Sequence, residues 1–223
     1  MTAVPSITVI VPVWNEADNL PACLASIGTL GVEVEVIVVD AGSSDGSAAI
    51  ARAAGATVLN SGVRQRAAQL NAGATHAKGA VLLFLHADTC LPSEWRPALR
   101  NALEGNTDIL GGGFRRRFEG GSSVLRITCE LAAWRGKLCG WFLGDQAMFV
   151  RREAFDALGG FKPFQRCEDL DFSIRLSRRG RTCVLSATVQ TSSRRFQAYG
   201  PVRQTIRDFL TATRFIFAER HRP

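Results

Sequence analysis

Two apolar runs in this chain end abruptly in an aspartate. Residues 35–40 read EVIVVD and run into AGSSDG; residues 81–88 read VLLFLHAD and are followed by Thr89. A short run rich in Val, Ile and Leu, bounded by turn residues, is the pattern of a strand buried on both faces. A carboxylate is a poor packing residue there, because burying it unpaired is costly or shifts its pKa. In open α/β sheets ligands bind outside the carboxyl ends of the strands. Asp40 and Asp88 are therefore expected on one rim of one sheet, as site residues.

Their neighbours narrow the chemistry. Asp40 and Asp45 flank small residues, and Gly42 and Ser43 let a ligand approach the backbone. The loop leads into a helix N-terminus, which favours anions. Asp40 there either accepts a hydrogen bond from a base or ribose or closes its own turn; Asp45 either faces the ligand or caps the helix. Asp88, in His86-Ala87-Asp88, would hold Mg²⁺ or Mn²⁺ beside a phosphate through oxygen. His86 is either a nitrogen ligand or a core group. Glu168-Asp169 opens a helix, where acids are stabilised whatever their function. Asp145, in Gly144-Asp145-Gln146, lies between an apolar helix and an apolar strand and needs a partner if buried.

The elements that must position these groups alternate. Residues 7–11 read as a first strand, and Asn15 or Asp18 as the cap of a helix carrying Leu20, Cys23, Leu24 and Ile27, which residues 28–31 end. Residues 34–39 form a second strand. Ser43, Ser44 and Asp45 read as capping residues ahead of a helix over 47–54, which Gly55 stops. A short strand over 57–59, a helix over 64–78 and a strand over 81–85 follow. This alternation demands one mainly parallel sheet flanked by helices, with right-handed crossovers. The second half is less regular: helix over 94–103, three glycines before a strand over 114–118, a long apolar helix over 123–142, a strand over 147–150, and helices over 152–158, 168–179 and 202–218.

The 223 residues, 46% hydrophobic, suit one domain, 1–223, with a nucleotide-binding half over 1–90 and an acceptor-binding half over 91–223. No apolar run approaches the roughly 18–20 residues of a membrane span, and the first residues read as a strand, not a signal peptide; the expected compartment is the cytoplasm. Six scattered cysteines, with no CxxC and no zinc spacing, read as reduced, mostly buried thiols. Net charge is +7, and of 27 basic residues only Lys78, Lys137 and Lys162 are lysines. Arginine favours bidentate contacts to phosphate and carboxylate, which suits a diphosphate substrate, an anionic membrane surface or nucleic acid; genome composition alone would give the same bias. No helix-turn-helix, zinc finger or RNA motif is present, so no nucleic-acid partner is expected. The stretches over 123–142 and 202–218, with Trp134, Trp141, Phe142, Phe209, Phe215 and Phe217 among arginines, either lie in a bilayer interface as a peripheral membrane contact or pack on the core or a homodimer partner.

Six motifs occur in order: PVWNE at 12–16, VVDAGSSDG at 38–46, RAAQLNAG at 66–73, LHADT at 85–89, GDQAMFVRREAFDALGGF at 144–161 and ED at 168–169. Over nearly its whole length the chain resembles the family 2 glycosyltransferases of GT-A fold. It is most similar to the small bacterial branch called arsenosugar-biosynthesis or "transferase 2" glycosyltransferases, which shares LHADT, the Arg-x-x-Gln-x-Asn stretch and a late segment like Ser193-Arg194-Arg195-Phe196. The resemblance implies a nucleotide-diphosphate-sugar donor, expected to be UDP-linked, and a small-molecule or lipid-like acceptor. It places Pro12, Trp14 and Glu16 around the nucleotide, with Trp14 near the base, Asp40 on the base, Asp45 beside the nucleotide and Arg66 facing the diphosphate. Asn71 and Ala87 complete the donor contacts. Asp88, with His86 as a second candidate, takes the Mg²⁺ or Mn²⁺. Asp169 is the general base, with Glu168 and Asp145 near the acceptor.

The chemistry agrees: the leaving diphosphate must be neutralised by a cation and an arginine, and one inverting displacement needs one carboxylate on the acceptor hydroxyl. The chain departs from the family pattern at His86, where the first acid of Asp-x-Asp would stand, and it lacks the QxxRW of processive synthases. Four other readings compete. A sugar nucleotidyltransferase needs a glycine-rich loop where PVWNE stands. A dehydrogenase needs GxGxxG there. A phosphatase needs an aspartate in place of His86. A non-catalytic nucleotide-sugar-binding module is distinguished from an enzyme by turnover alone.

Overall fold

The computed structural model describes residues 6–28, 34–120 and 122–220. Eight strands form one sheet: β1 (Ile7–Val13), β2 (Val34–Asp40), β3 (Thr57–Asn60), β4 (Val81–Phe84), β5 (Thr89–Cys90), β6 (Ile109–Phe118), β7 (Met148–Arg151) and β8 (Arg181–Thr191). Their spatial order is β3-β2-β1-β4-β7-β6-β8-β5. The pairs β3/β2, β2/β1, β1/β4 and β6/β8 are parallel, whereas β7 runs against both neighbours and β5 against β8. The expected mainly parallel α/β sheet is present.

Alternation along the strands makes two cores. Val9, Val11 and Val13 point to one face, under α1 (Leu20–Ile27), α2 (Ser47–Ala53) and α4 (Trp95–Leu103). Ile10, Ile37, Val39, Leu82 and Phe84 point to the other, under α3 (Arg66–His76), α6 (Arg152–Ala157) and α7 (Glu168–Arg179). Period-2 strands with helices on both faces explain why these runs are apolar throughout. A third, small cluster joins Phe118 to Leu125 and Cys129 of α5 (Ser123–Cys139) and to Phe196 of α8 (Arg194–Tyr199). The chain continues into α9 (Pro201–Arg220).

Several local expectations are corrected. Gly111, Gly112 and Gly113 lie inside β6, not before it: a side chain at 112 would strike the Cys183 carbonyl, and one at 113 would strike Phe142. β8 and α8 carry too little apolar periodicity to be anticipated; β8 alternates only over its last half, where Leu185, Ala187 and Val189 are buried. Neither Asn15 nor Asp18 caps α1; Asn19 holds that position without a side-chain capping bond, its amide donating to Glu16 Oε2 instead (2.7 Å). Gly28, at φ 80°, ends α1, and residues 29–31, expected to share that role, lie outside the described residues. All six cysteines are free, but only Cys23 and Cys129 are buried. No described helix is long and apolar enough to cross a membrane.

Candidate active site

The loops after β1 and β2 are fastened to each other. The Asn15 N–H donates to Ser43 Oγ (2.9 Å), the Ser44 N–H to Asn15 Oδ1 (2.9 Å), the Glu16 N–H to Ser47 Oγ (3.0 Å) and the Ala17 N–H to Asp45 Oδ2 (2.9 Å). Asn15 adopts a left-handed φ of 52° to make both of its bonds, a conformation asparagine tolerates better than most residues. Asp45 also accepts from the Ser47 N–H and hydroxyl, and these hydrogen bonds, the hydroxyl's first, hold its carboxyl below the usual range. Gly46 occupies the N-cap position of α2. Asp40 closes its own turn, accepting from the Gly42 N–H (3.1 Å), the Ser43 N–H (3.0 Å) and the Ser43 hydroxyl (2.5 Å). Asp40 thus has the turn-closing role weighed for it, whereas the N-cap of α2 is Gly46, not Ser43, Ser44 or Asp45, and Asp45 bonds the Ser47 N–H from outside the cap.

Pro12 lies within β1 opposite Val39, and Trp14 projects from the strand's end, 38% exposed. The Arg64 guanidinium lies 3.1 Å from the Trp14 ring centroid, a cation–π contact that the sequence did not single out.

Three polar residues of α3 reach three parts of the rim. Arg66, half exposed, pairs with the buried Glu168 at 3.3 Å. Gln69, buried, donates from Nε2 to the carbonyls of Val13 (3.0 Å) and Val39 (2.8 Å), where β1 and β2 end. Asn71 donates to the Phe161 carbonyl (2.8 Å) and accepts from the Phe161 N–H (2.9 Å). These two bonds tether α3 to the Phe161 backbone.

Beyond β4 the chain turns through His86-Ala87-Asp88. The Thr89 N–H donates to the His86 carbonyl (3.0 Å), and Ala87 is buried. β5 pairs with the end of β8, and the Ser192 N–H donates to the Asp88 carbonyl (3.0 Å). This contact brings Arg194 to the site. Its guanidinium bonds both oxygens of Glu16 (2.9 and 2.5 Å) and lies 3.5 Å from Asp88 Oδ2. Burial pushes the Asp88 carboxyl up, Arg194 opposes this and Glu16 adds to it.

The His86 ring faces the other way, filling the space that a side chain at Gly144 would need. Burial, then the Arg66 charge, lowers its pKa to about 3, so it is neutral. The Gly144 N–H donates to Asp169 Oδ2 (2.6 Å) and the Leu170 N–H to Asp169 Oδ1 (2.7 Å). Burial nonetheless pushes the Asp169 carboxyl up. It pushes Glu168 up as well, and the adjacent Asp169 adds to that. Asp145 pairs with Arg116 of β6. Burial alone would raise Asp145, but the Arg116 charge and hydrogen bond outweigh it and keep the carboxyl low.

Glu16, Asp88, Asp145, Glu168 and Asp169 are therefore gathered with Arg66, Arg116 and Arg194 around the carboxyl ends of β1, β4 and β8 and the start of α7. Among the described residues no three His, Cys, Asp or Glu side chains converge as a metal cage. The donor set still fits a divalent ion: two carboxylates, Asp88 and Glu16, already converge on one cationic group, and Mg²⁺-type ions are commonly held by one or two carboxylates plus substrate phosphates.

The family model "Glycosyl transferase family 2" matches residues 8–160, which hold the site residues from Pro12 to Asp145 and stop short of Glu168, Asp169 and Arg194. The chain belongs to this family. This glycosyltransferase is 36% identical over 172 residues to the undecaprenyl-phosphate 4-deoxy-4-formamido-L-arabinose transferase of Klebsiella pneumoniae, covering 70% of its own chain and 51% of that protein. The enzyme of the same name from Edwardsiella ictaluri is 32% identical over 162 residues, 59% of this chain and 50% of the relative. The chain thus spans about half the length of these curated relatives. Among solved structures it is similar to the mannosyltransferase PcManGT of Pyrobaculum calidifontis in complex with GDP-Man and Mn²⁺, with TM-score 0.67, 25% identity, and coverage of 85% of this chain and 57% of that one. It shares its fold with glucosyl-3-phosphoglycerate synthase of Mycobacterium tuberculosis in complex with Mn²⁺, UDP and glucosyl-3-phosphoglycerate, with TM-score 0.59, 22% identity, and coverage of 84% and 70%.

Proposed function

We propose that this glycosyltransferase moves a sugar from a nucleotide-diphosphate donor, UDP-linked, to an acceptor hydroxyl in one inverting displacement, with Asp169 as general base. The observation that carries this reading is the setting of Asp169. Two backbone N–H groups fix both of its oxygens, while burial raises its pKa. A base so held is oriented, and a raised pKa brings its proton affinity closer to that needed near neutral pH.

The other residues take supporting roles. Asp40 and Trp14 offer an acceptor and an aromatic face to the base and ribose, and Asp45 holds the two donor loops together. Arg66 reaches from its exposed side towards the diphosphate while Glu168 orients it. Asp88, with Glu16 beside it, would hold Mg²⁺ or Mn²⁺, whose charge would stabilise the leaving diphosphate. Neutral His86 packs beneath Gly144 and keeps the Gly144 N–H aimed at Asp169. Asp145, locked to Arg116, shapes the acceptor side without taking a proton.

The acceptor is lipid-like in this reading. α5 exposes Ile127, Leu131, Trp134 and Leu138 at helical spacing, and α9 exposes Val202, Ile206, Phe209 and Phe217. Arg126, Lys137, Arg203, Arg207 and Arg214 lie on the same two helices, a combination suited to an anionic bilayer surface at the inner face of a membrane. The relatives named for undecaprenyl-phosphate lend support to a lipid-linked acceptor.

The test is turnover of labelled nucleotide sugars with and without Mn²⁺, with the anomeric configuration of the product read by NMR. Release of nucleoside diphosphate and an inverted product are expected. Binding without turnover for every donor would leave a non-catalytic module in its place, and a retained configuration would remove the single-displacement mechanism.

A further inference from the structure

The donor site contains its own cation. Arg194, the first residue of α8, forms a two-point contact with Glu16 and reaches Asp88 at 3.5 Å. Glu16 follows β1, Asp88 follows β4 and Arg194 follows β8, so three separate chain segments meet in this one ion cluster. The location is set by backbone: β5 pairs with β8 at Thr89↔Thr191 and Cys90↔Gln190, and the Ser192 N–H holds the Asp88 carbonyl. The next residue on α8, Arg195, is committed elsewhere, to Asp208 at 3.1 Å.

We propose that Arg194 is a resident counter-cation of the donor site, which a divalent ion must displace from Asp88 and Glu16 in order to bind. This rests on the metal assignment above and goes beyond it. A guanidinium and a divalent ion compete for the same carboxylate oxygens, and at close range their like charges repel. The Arg194 side chain is 49% exposed, so it has solvent to swing into, and a half-exposed ion pair is weak enough to break. With Arg194 in place, Glu16 and Asp88 do not face each other as bare carboxylates. Mn²⁺ alone would then bind poorly, and the site would acquire its metal most readily together with the diphosphate, whose oxygens supply further ligands and offer the released guanidinium a new partner. An enzyme arranged in this way discriminates against free metal ions without a dedicated metal cage.

The experiment measures Mn²⁺ binding directly, by the loss of the free-ion signal in electron paramagnetic resonance, for the full chain with no donor and then with UDP. Arg194→Gln is expected to bind Mn²⁺ alone on the order of tenfold tighter than the parent. Arg194→Lys, which keeps the charge, is expected to lie nearer the parent. Arg195→Gln, one residue along, is expected to leave the affinity unchanged and controls for loss of one positive charge and for distortion of α8. Adding Asp88→Asn to Arg194→Gln should abolish the gained affinity, which places the ion at Asp88. Equal Mn²⁺ affinity in the parent and Arg194→Gln, with both binding, overturns the displacement while leaving the metal assignment standing. Failure of both to bind Mn²⁺, with or without UDP, removes the metal assignment itself. Thermal melting of each variant distinguishes a lost contact from a lost fold.

Discussion

Gly144→Ala tests the contact between the two halves of the site. A Cβ at position 144 would lie 2.7 Å from His86 Cε1, closer still to Nε2, and 3.3 Å from Asp169 Oδ2, whereas ordinary contact begins at 3.4 Å. The imidazole must retreat by roughly 1 Å, in an interior that is close-packed. It hangs from a turn whose carbonyl accepts from both Thr89 N–H and Cys23 Sγ–H, so the backbone cannot absorb the shift freely. Overpacking of this kind costs about 1–3 kcal/mol. For a chain of this size that corresponds to a melting temperature lower by about 2–12 °C. Because the Gly144 N–H is one of the two donors that fix Asp169, kcat should fall as well, with little change in donor affinity. His86→Ala removes the ring that is struck. In the double variant the added methyl fits the vacated space, so the two costs should be non-additive by about 1 kcal/mol or more. Melting curves and steady-state kinetics on the four proteins complete the cycle. Strict additivity, or an unchanged melting temperature for Gly144→Ala, would refute the claim that His86 and Gly144 are packed against each other at the acceptor side.

Asp169→Asn should lower kcat by about 10²–10⁴ with donor binding intact, as read by calorimetry; a comparable loss of donor affinity would move Asp169 out of the base role. In the parent, burial raises the Asp169 carboxyl in the folded state, so activity is present above that raised pKa and lost as pH falls through it, an acid limb lying above the usual carboxylate range. The same shift means that the folded state holds this proton to higher pH than the unfolded chain, so it subtracts stability as pH rises through that window; Asp169→Asn should therefore melt no lower than the parent at pH 8. Arg116→Met strands the Asp145 carboxylate. The cost is roughly 3–5 kcal/mol for a fully buried pair and less here, because Asp145 is 27% exposed; chemical denaturation should show it, and unchanged stability would mean the pair contributes nothing. Leu131→Glu with Phe209→Glu should abolish flotation with anionic liposomes while leaving donor hydrolysis in solution unchanged; a parent protein that never floats removes the membrane contact, and a change in oligomeric size instead would assign these helices to a dimer.

The first half of the fold was legible because each strand there is a continuous apolar run closed by glycine or aspartate, and each helix repeats at i, i+3, i+4, as Leu20, Cys23, Leu24 and Ile27 do. Position 40 and position 88 could be placed on the rim for the same reason. β8 escaped notice because its first residues, Arg181 and Thr182, are not buried and its pattern becomes periodic only near Leu185. With β8 unseen, the approach of Arg194 to Asp88 could not be foreseen, since the two are joined through β5 and no local spacing relates them. Arg64 and Gln69 were passed over for a different reason: one is an exposed cation and the other an amide in a helix, and only their partners reveal what they do. The partner of Asp145 likewise lies in a strand 29 residues earlier, beyond the reach of periodicity. The acids were recognisable as types; their counter-charges are tertiary.

Gln69 sets a limit on how this rim can change. Two adjacent parallel strands must separate before their loops can diverge, and the carbonyls at that point need donors; that of Val13 accepts from the Ala41 N–H across the gap. A single buried amide nitrogen serves both, the carbonyls of Val13 and Val39. The loops beyond are then free to vary in length and chemistry, because the fork from which they spring is closed by a side chain from underneath and not by the loops themselves. Donor preference in such a molecule could drift by substitution at positions 14, 16 or 42–45 while position 69 stays put, a division between what may be retuned and what must be inherited.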